Sequence, residues 1–191
     1  MKNVILLVAA WIVSSMMLIG QTTMQVQSPP SKFVLSGTST LHDWKMNVTQ
    51  ISGKVELFFS EKGLIERFKG VSLKIPVESL KSEKKLMNTK TYEALKQETH
   101  PYIVFESNAI SVTSVAKDAI NISVTGTLTL AGVSKKKTFT AQVKQLTDGR
   151  IKVIGNYSVL MTEFGVEPPK MFMGTLKTGD PVMIDFEVYF K

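Results

Sequence analysis

A strict alternation of apolar and hydroxyl-bearing residues at positions 122–130 constrains the fold of this chain more than any other feature of its sequence. One set is Ile122, Val124, Gly126, Leu128 and Leu130, and the residues between them are Ser123, Thr125, Thr127 and Thr129. A period of two residues puts successive side chains on opposite faces of the backbone. The segment is therefore predicted to be a β-strand with one buried and one solvated face.

Similar alternation recurs along most of the chain. The further groups, by their apolar members, are Phe33/Leu35, Trp44/Met46/Val48, Val55/Leu57/Phe59, Val71/Leu73/Ile75, Ile103/Phe105, Phe139/Ala141/Val143, Ile151/Val153/Tyr157/Val159 and Val182/Ile184/Phe186/Val188/Phe190. Turn-forming residues separate the groups; Asp148-Gly149, for example, favours a tight hairpin because glycine readily adopts positive φ. The sequence therefore predicts an all-β fold of about eight or nine antiparallel strands.

Residues 82–97 depart from this pattern. They combine good helix formers with lysines, and the apolar residues Leu86, Tyr92 and Leu95 recur among them. Ser82 is a candidate helix cap, and His100-Pro101 should end the helix because the residue before proline avoids helical geometry. We expect one amphipathic helix, or two short ones hinged near Asn88, inserted between strands three and four. Its apolar residues should face the sheet and its lysines the solvent.

Sequential antiparallel strands of this length either close into a barrel or fold into a sandwich. Closure is favoured, because an open sheet would leave two long edges free to pair with other chains. A barrel of about eight strands has an interior just wide enough to be filled by side chains or to hold one slender ligand. The strand pattern leaves both possibilities open.

The N-terminal segment has the pattern of a secretory signal peptide. Lys2 precedes an apolar run of 17 residues, from Val4 to Gly20, which only Ser14 and Ser15 interrupt. An uncleaved membrane anchor is the alternative, since the run nearly has the length that spans a bilayer. We therefore expect an exported protein, periplasmic or secreted.

The domain boundaries follow from this assignment. Residues 1–20 are predicted to be the signal peptide. Residues 21–31 are polar and contain Pro29-Pro30, so they are predicted to be a linker. Residues 32–191 are long enough to bury a core of their own and are predicted to form a single domain.

Composition excludes several classes of protein. The chain has no cysteine, which rules out disulfides, thiolate nucleophiles and cysteine-ligated metals. Its formal net charge is +7, but the basic residues are scattered and not interleaved with aromatic residues, so nucleic acid is not an expected partner. The lysines around residues 82–97 and at 135–137 are expected to be solvated, or to attract the chain transiently to a membrane surface.

Candidate catalytic and metal-binding residues are few. His42 and Asp43 are adjacent, but neighbours in a strand point to opposite faces, and His100 is the only other histidine. A structural role for His42 and Asp43 in the first hairpin is favoured over a metal site. The chain has no G-x-S-x-G nucleophile motif. We expect no catalytic residue, no metal and no cofactor, and hence no enzyme.

Four stretches carry a family resemblance. They are residues 37–44 (GTSTLHDW), residues 100–107 (HPYIVFES), residues 124–134 (VTGTLTLAGVS) and residues 161–166 (MTEFGV). In this order they resemble the YceI-like family of polyisoprenoid-binding or lipid-binding proteins, over about residues 33–191. Met161 departs from the pattern, because many members of the family have arginine there. The resemblance implies an exported, lipocalin-like antiparallel barrel with an elongated apolar interior.

The resemblance also implies a ligand, an isoprenoid or another amphiphilic lipid, and a carrier or sequestering function. The inward-facing positions of the predicted strands are almost purely apolar, which suits a hydrocarbon tail. The predicted lining residues are Trp44, Met46, Leu73, Phe105, Leu128, Phe139, Ala141, Tyr157 and Phe186. They should surround one elongated void. The alternative is a non-catalytic interaction or stress protein of the envelope whose barrel is filled by these side chains.

Overall fold

The computed structural model of the chain describes residues 20–171 and 175–191. Within these residues the chain forms twelve β-strands, one α-helix and two 3-10 helices. The strands are β1 (Gln21–Gln25), β2 (Lys32–Ser39), β3 (Trp44–Val48), β4 (Ser52–Phe59), β5 (Ile65–Pro76), β6 (Leu80–Lys81), β7 (Tyr102–Ala116), β8 (Ala119–Leu130), β9 (Val133–Gln145), β10 (Ile151–Leu160), β11 (Lys170–Met171) and β12 (Leu176–Phe190). The helix α1 is Lys85–Ala94, and the 3-10 helices are Val77–Ser79 and Met161–Phe164. The all-β prediction is thus confirmed.

Eleven strands form one curled antiparallel sheet in the order β1-β4-β5-β7-β8-β9-β10-β12-β2-β3-β6, and β11 pairs with β12 beside it. The predicted count of about eight or nine strands was too low. The additional strands are the polar β1 and the two-residue β6 and β11. None of these is long or apolar enough to show an alternation in the sequence, so they become visible only through their pairing.

The strand β8 has the two faces that its alternation predicts. Ile122, Val124 and Leu130 are buried in the core, while Thr127 is exposed. On either side of it, Phe105 of β7 is opposite Leu128, and Phe139 of β9 is opposite Val124. The register predicted for this strand is confirmed.

The turn between β9 and β10 forms where Asp148-Gly149 predicts a hairpin. Gly149 adopts a φ of 82°, a left-handed conformation that costs glycine little. The Asp148 carboxylate accepts hydrogen bonds from the backbone N–H of Arg150, at 3.1 Å, and from its side chain, at 2.8 Å. The turn therefore closes through local chemistry that the sequence already shows.

Both edges of the sheet are tied back to distant strands. After β1, Val26 forms an isolated bridge with Phe190 at the end of β12, and Gln25 and Lys191 exchange two backbone hydrogen bonds of 2.7 and 2.9 Å. At the other edge, β5 continues through Val77–Ser79 into β6, which pairs with β3. These links hold the curled sheet around an apolar interior.

The helix lies between β6 and β7, not between the third and fourth strands as predicted. It is also shorter than the predicted residues 82–97. Ser82 does not cap it through its side chain, since the residue before the helix is Lys84; instead Ser82 and Asn88 hydrogen-bond with each other through backbone and side-chain atoms. Leu95 is buried and Tyr92 is half-buried as predicted, but Leu86 is exposed, which corrects that part of the prediction.

The predicted linker, residues 21–31, is wrong for its first part. Residues 21–25 form β1, which pairs with β4 from Gln21 opposite Phe58 to Gln25 opposite Lys54, and Met24 is buried. The folded domain therefore begins earlier than residue 32. Residues 1–19, nearly all of the predicted signal peptide, lie outside the described residues. Among the described residues, no helix has the length and apolarity needed to cross a membrane.

Candidate functional site

The interior of the sheet contains an inner cavity of about 160 Å³. Strands from almost the whole sheet contribute to its wall, including Phe33 of β2, Leu73 of β5 and Phe186 of β12. Apart from Tyr157 and Lys137, every lining residue is aliphatic or phenylalanine. Such a wall offers dispersion contacts and very few hydrogen bonds, so it favours a hydrocarbon over a polar ligand.

An outer cavity of about 370 Å³ lies beside the helix. Its wall combines strand residues with Met87, Thr91 and Leu95 of the helical segment and with Met161. The two cavities share five lining residues: Leu35, Leu80, Ile103, Leu128 and Ile184. They therefore adjoin each other along the interior, with the outer one toward the helix.

The nine residues predicted to line the interior are divided between the two cavities. Seven are at the inner cavity: Leu73, Phe105, Leu128, Phe139, Ala141, Tyr157 and Phe186. Trp44 and Met46 are at the outer cavity, where Leu128 contributes a second time. The prediction of a single elongated void is replaced by two adjoining cavities.

Aromatic rings narrow the inner cavity around Phe139. Its ring centroid is 5.3 Å from that of Phe105, 5.5 Å from that of Tyr157 and 5.8 Å from that of Phe186. Tilted and edge-on rings at these separations stabilise each other beyond their burial. The width of the inner cavity is thus set by a packed aromatic cluster and not by flexible side chains.

Lys137 is a cavity residue that the sequence analysis missed. It was expected to be solvated with Lys135 and Lys136, but it lines the inner cavity with its side chain only 14% exposed. Its ammonium is 2.5 Å from a carboxylate oxygen of Glu163, and this hydrogen bond raises the pKa of Lys137 while lowering that of Glu163. The signal was available, since Lys137 continues the inward series of Phe139, Ala141 and Val143 by one step of two residues.

The stretch at residues 37–44 forms the hairpin between β2 and β3. Gly37 is opposite Trp44, and a Cβ at Gly37 would lie 2.4 Å from the indole ring, so only glycine leaves room for it. The indole N–H donates to the carbonyl of Thr38 at 3.1 Å. The Ser39 hydroxyl donates to the carbonyl of His42 and accepts from its N–H. This stretch therefore holds the Trp44 ring at the wall of the outer cavity.

The two histidines have separate surroundings. His42 lines the outer cavity, and its Nε2 is 2.8 Å from the ammonium nitrogen of Lys84. The His100 ring packs against Gly132, where a Cβ would lie 2.4 Å from its Nε2. The described residues contain no group of three or more histidine, aspartate or glutamate side chains arranged to hold a metal.

The stretch at residues 161–166 closes one end of the interior. Phe164 and Val166 are almost fully buried, and Gly165 adopts a φ of 65° that ends the 3-10 helix. Thr162 donates its side-chain and backbone hydrogens to Asp180 of β12, at 2.6 and 2.9 Å, and these bonds lower the pKa of Asp180. Met161, the departure from the resemblance noted above, adds an apolar side chain to the outer cavity.

A polar groove of about 650 Å³ lies on the outer surface of the sheet. It forms beside register shifts that bend β5 and β7, and its walls include Lys54, Glu106 and Ser107. None of the predicted lining residues borders it. The apolar interior therefore remains the candidate site despite its smaller volume.

The sheet does not close on itself by strand pairing, because β1 and β6 remain its two edges, so the predicted closed barrel is corrected to a curled, barrel-like sheet. A curled antiparallel sheet around an apolar interior defines the class of barrel-like all-β proteins. Within that class, the chain belongs to the family of proteins with a YceI-like domain, whose sequence profile matches residues 23–190. This match confirms the resemblance carried by the four stretches. No curated protein matches the chain.

Solved structures of low sequence identity share the fold. BcnA from Burkholderia cenocepacia is 22% identical, with a TM-score of 0.66 over 86% of this chain and 98% of its own. A polyisoprenoid binding domain from Saccharophagus degradans, implicated in plant cell wall breakdown, is 14% identical, with a TM-score of 0.67 over 88% and 97% of the two chains. The YCEI protein of Campylobacter jejuni is 20% identical, with a TM-score of 0.58 over 75% and 82%.

Proposed function

We propose that the protein is an exported lipid-binding protein that sequesters or carries an isoprenoid or a similar amphiphile in its interior. The observation that carries this proposal is the pair of adjoining apolar cavities, about 160 and 370 Å³ in volume, with five lining residues in common. The outer cavity lies within the range of roughly 300 to 1,000 Å³ that is typical of ligand pockets.

The chemistry of the walls supports a ligand with a long apolar part and a small polar part. Burial of each methylene contributes up to about 0.8 kcal/mol before the cost of ordering the chain is subtracted. The polar side chains of His42 and Lys84 are at the outer cavity, while the inner wall is apolar and aromatic. We infer that the tail lies in the inner cavity and the polar group near the helix. The polyisoprenoid binding domain of similar fold supports an isoprenoid as the first ligand to test.

Export and a binding role without catalysis belong to the same proposal. The apolar run from Val4 to Gly20 after Lys2 supports export to a periplasm or secretion, with residues 1–20 removed. The nine lining residues are assigned contacts with the ligand and no catalytic role.

A filled interior is the second candidate, and the aromatic cluster favours it. Rings 5.3 to 5.8 Å apart around Phe139 leave the inner cavity narrow. The protein would then be an envelope interaction protein that acts through its surface.

The two candidates differ in what the purified protein contains. Protein isolated from its own host should be analysed by native mass spectrometry, followed by solvent extraction and mass spectrometry of the extract. A stoichiometric lipid supports the carrier. Repeatedly empty preparations contradict it and favour the filled interior.

A single substitution tests the inner cavity directly. Ala141 is buried at its wall, so Ala141→Phe adds a ring to space that a ligand would occupy. We expect bound lipid to fall with little change in melting temperature. In a filled interior the same change would overpack the core and cost about 1 to 3 kcal/mol.

Ala116→Phe, at the exposed tip of β7, is the matched control and should change neither quantity. A large thermal loss in Ala141→Phe, together with a wild type that never holds lipid, would contradict the proposed function.

A further inference from the structure

The outer cavity meets the solvent at a surface that is both apolar and basic. We name this surface, formed by Leu41, His42, Lys84, Lys85 and Leu86, the mouth face. Leu41 is 73% and Leu86 is 53% exposed, although both also line the outer cavity together with His42 and Lys84. A single exposed apolar side chain is common on protein surfaces, whereas a cluster of them marks an interaction site. Here the two leucines flank one opening.

The mouth face is predominantly basic. Two lysines and a histidine belong to it, and no acidic residue of the described part of the chain lines the outer cavity. Asp43 and Glu83 also lie in these segments, but residues 42–45 and 81–85 together contain four lysines and one histidine against two acidic residues. Lys90, also at the cavity, is paired with Glu93 at 2.7 Å. The surface around the exposed leucines therefore attracts anions.

The opposite end of the sheet also has exposed apolar residues, but they have neither an excess of basic neighbours nor a cavity beside them. Val115, at the tip of the β7–β8 hairpin, is also 73% exposed, and Leu64 is exposed in the turn before β5. Their neighbours carry both signs, with Lys117 beside Asp118 and Lys62 beside Glu61. Neither Val115 nor Leu64 lines either cavity.

We propose that the mouth face docks on a bilayer that contains anionic lipids. The lysines supply attraction to the negative surface, and Leu41 and Leu86 enter the boundary between head groups and acyl chains. The biological role of this docking rests on the proposed lipid-binding function. A docked protein lets a water-insoluble ligand pass between the bilayer and the cavity without crossing water. The docking itself needs no bound ligand, so it is measured separately.

The absence of cysteine from the chain allows a direct test of which end meets the bilayer. Leu41→Cys and Val115→Cys, each labelled with acrylodan, are mixed with vesicles of phosphatidylcholine alone or of phosphatidylcholine with phosphatidylglycerol. We expect a blue shift of the dye at position 41 with the anionic vesicles and little change at position 115. A shift at position 115 but not at 41, or at neither position, overturns the proposal.

Charge reversal in protein that carries no dye tests the electrostatic contribution of the lysines to vesicle binding. Lys84→Glu with Lys85→Glu should weaken binding to the anionic vesicles at least about tenfold, since each lysine near such a surface contributes about fivefold. Lys62→Glu with Lys117→Glu, at the opposite end, should change it far less. Equal effects of the two pairs, or equal binding of the wild type to neutral vesicles, count against docking through the mouth face.

Three further outcomes separate this inference from its alternatives. If the wild type is a dimer in solution that Leu41→Asp dissociates, the mouth face is a self-association surface and the bilayer is the wrong partner. If vesicles bind as expected but no lipid is ever extracted from the protein, docking stands and the carrier function fails. If lipid is extracted but vesicles do not bind, the carrier stands and docking fails.

Discussion

Lys137 brings a positive charge to the wall of an otherwise apolar interior. Its aliphatic stem lines the inner cavity, while its ammonium reaches Glu163 in the 3-10 helix after β10. A long basic side chain of this kind covers apolar surface with its stem and keeps its charge paired at the edge. The residue is thus compatible with a hydrocarbon ligand, because the charge is directed to Glu163 and not into the cavity.

The Lys137–Glu163 pair predicts a pH dependence of stability. The pKa of Glu163 is lowered from its ordinary value of 4.5. Its contribution to the free energy of unfolding is therefore full above pH 4.5 and is lost as the pH falls through the lowered pKa. The pKa of Lys137 is raised from its ordinary value of 10.5. The contribution of Lys137 to the free energy of unfolding is therefore full below pH 10.5 and is lost only as the pH rises through the raised pKa. Urea unfolding across pH should show Glu163→Gln less stable than wild type at neutral pH, with the difference vanishing in acid.

Glu167 provides the control for this prediction. Its pair with Lys170 has a similar distance, 2.7 Å, but the two side chains are 79% and 53% exposed. Exposed pairs contribute little because solvent screens them. Glu167→Gln should therefore leave the unfolding free energy nearly unchanged. A pH-independent loss in Glu163→Gln would show that packing and not the ion pair is responsible.

At the scale of the element, the helix is oriented by one tyrosine. The Tyr92 hydroxyl lies 2.9 Å from the carbonyl oxygen of Leu80 and 3.1 Å from that of Glu78. Leu95 is three positions further on and shares its side, but Leu86 is nine positions before Leu95, about two and a half turns. The two leucines therefore lie half a turn apart around the helix axis. Leu95 is buried, whereas Leu86 lies at the exposed margin of the outer cavity, so the prediction that both face the sheet was wrong.

This geometry predicts unequal effects of two leucine truncations. Leu95 is 8% exposed and packs in the outer core, so Leu95→Ala should lower the unfolding free energy by about 2 to 5 kcal/mol. Leu86→Ala should change it by no more than about 0.5 kcal/mol, as is usual for an exposed residue. Urea denaturation of the two variants checks both values. A comparable loss in Leu86→Ala would contradict the orientation of the helix.

At the scale of the whole molecule, the interior depends on links between parts of the chain that are far apart in sequence. The sheet places β12 between β10 and β2, and β1 beside β4. Near the two ends of the folded domain, the bridge from Val26 to Phe190 joins the segment after the edge strand β1 to the last strand. The inner cavity is enclosed because these non-local pairings bring its walls together.

Hydrogen exchange should reveal this closure. The amides of Gln25 and Lys191 donate to each other's carbonyls, so both should be protected although they lie near the ends of the folded domain. The amides of residues 112–118, in the exposed tip of the β7–β8 hairpin, should exchange much faster. NMR-detected exchange gives the comparison. Equally fast exchange at Gln25 and at the hairpin tip would mean that the edge strand is not held there.

The sequence by itself determined the local features. The alternation at residues 122–130 predicted which side chains of β8 are inside, and Asp148-Gly149 predicted a hairpin, because both depend on neighbours within a few residues. Similar alternation in the other strands predicted the nine lining residues, which the structure places at the two cavities. The tertiary structure alone decided which strands pair, that Glu163 meets Lys137, that β1 belongs to the sheet, and that the void is divided into two adjoining cavities. These depend on register between distant segments and on the packing of side chains from many strands, which no local pattern specifies.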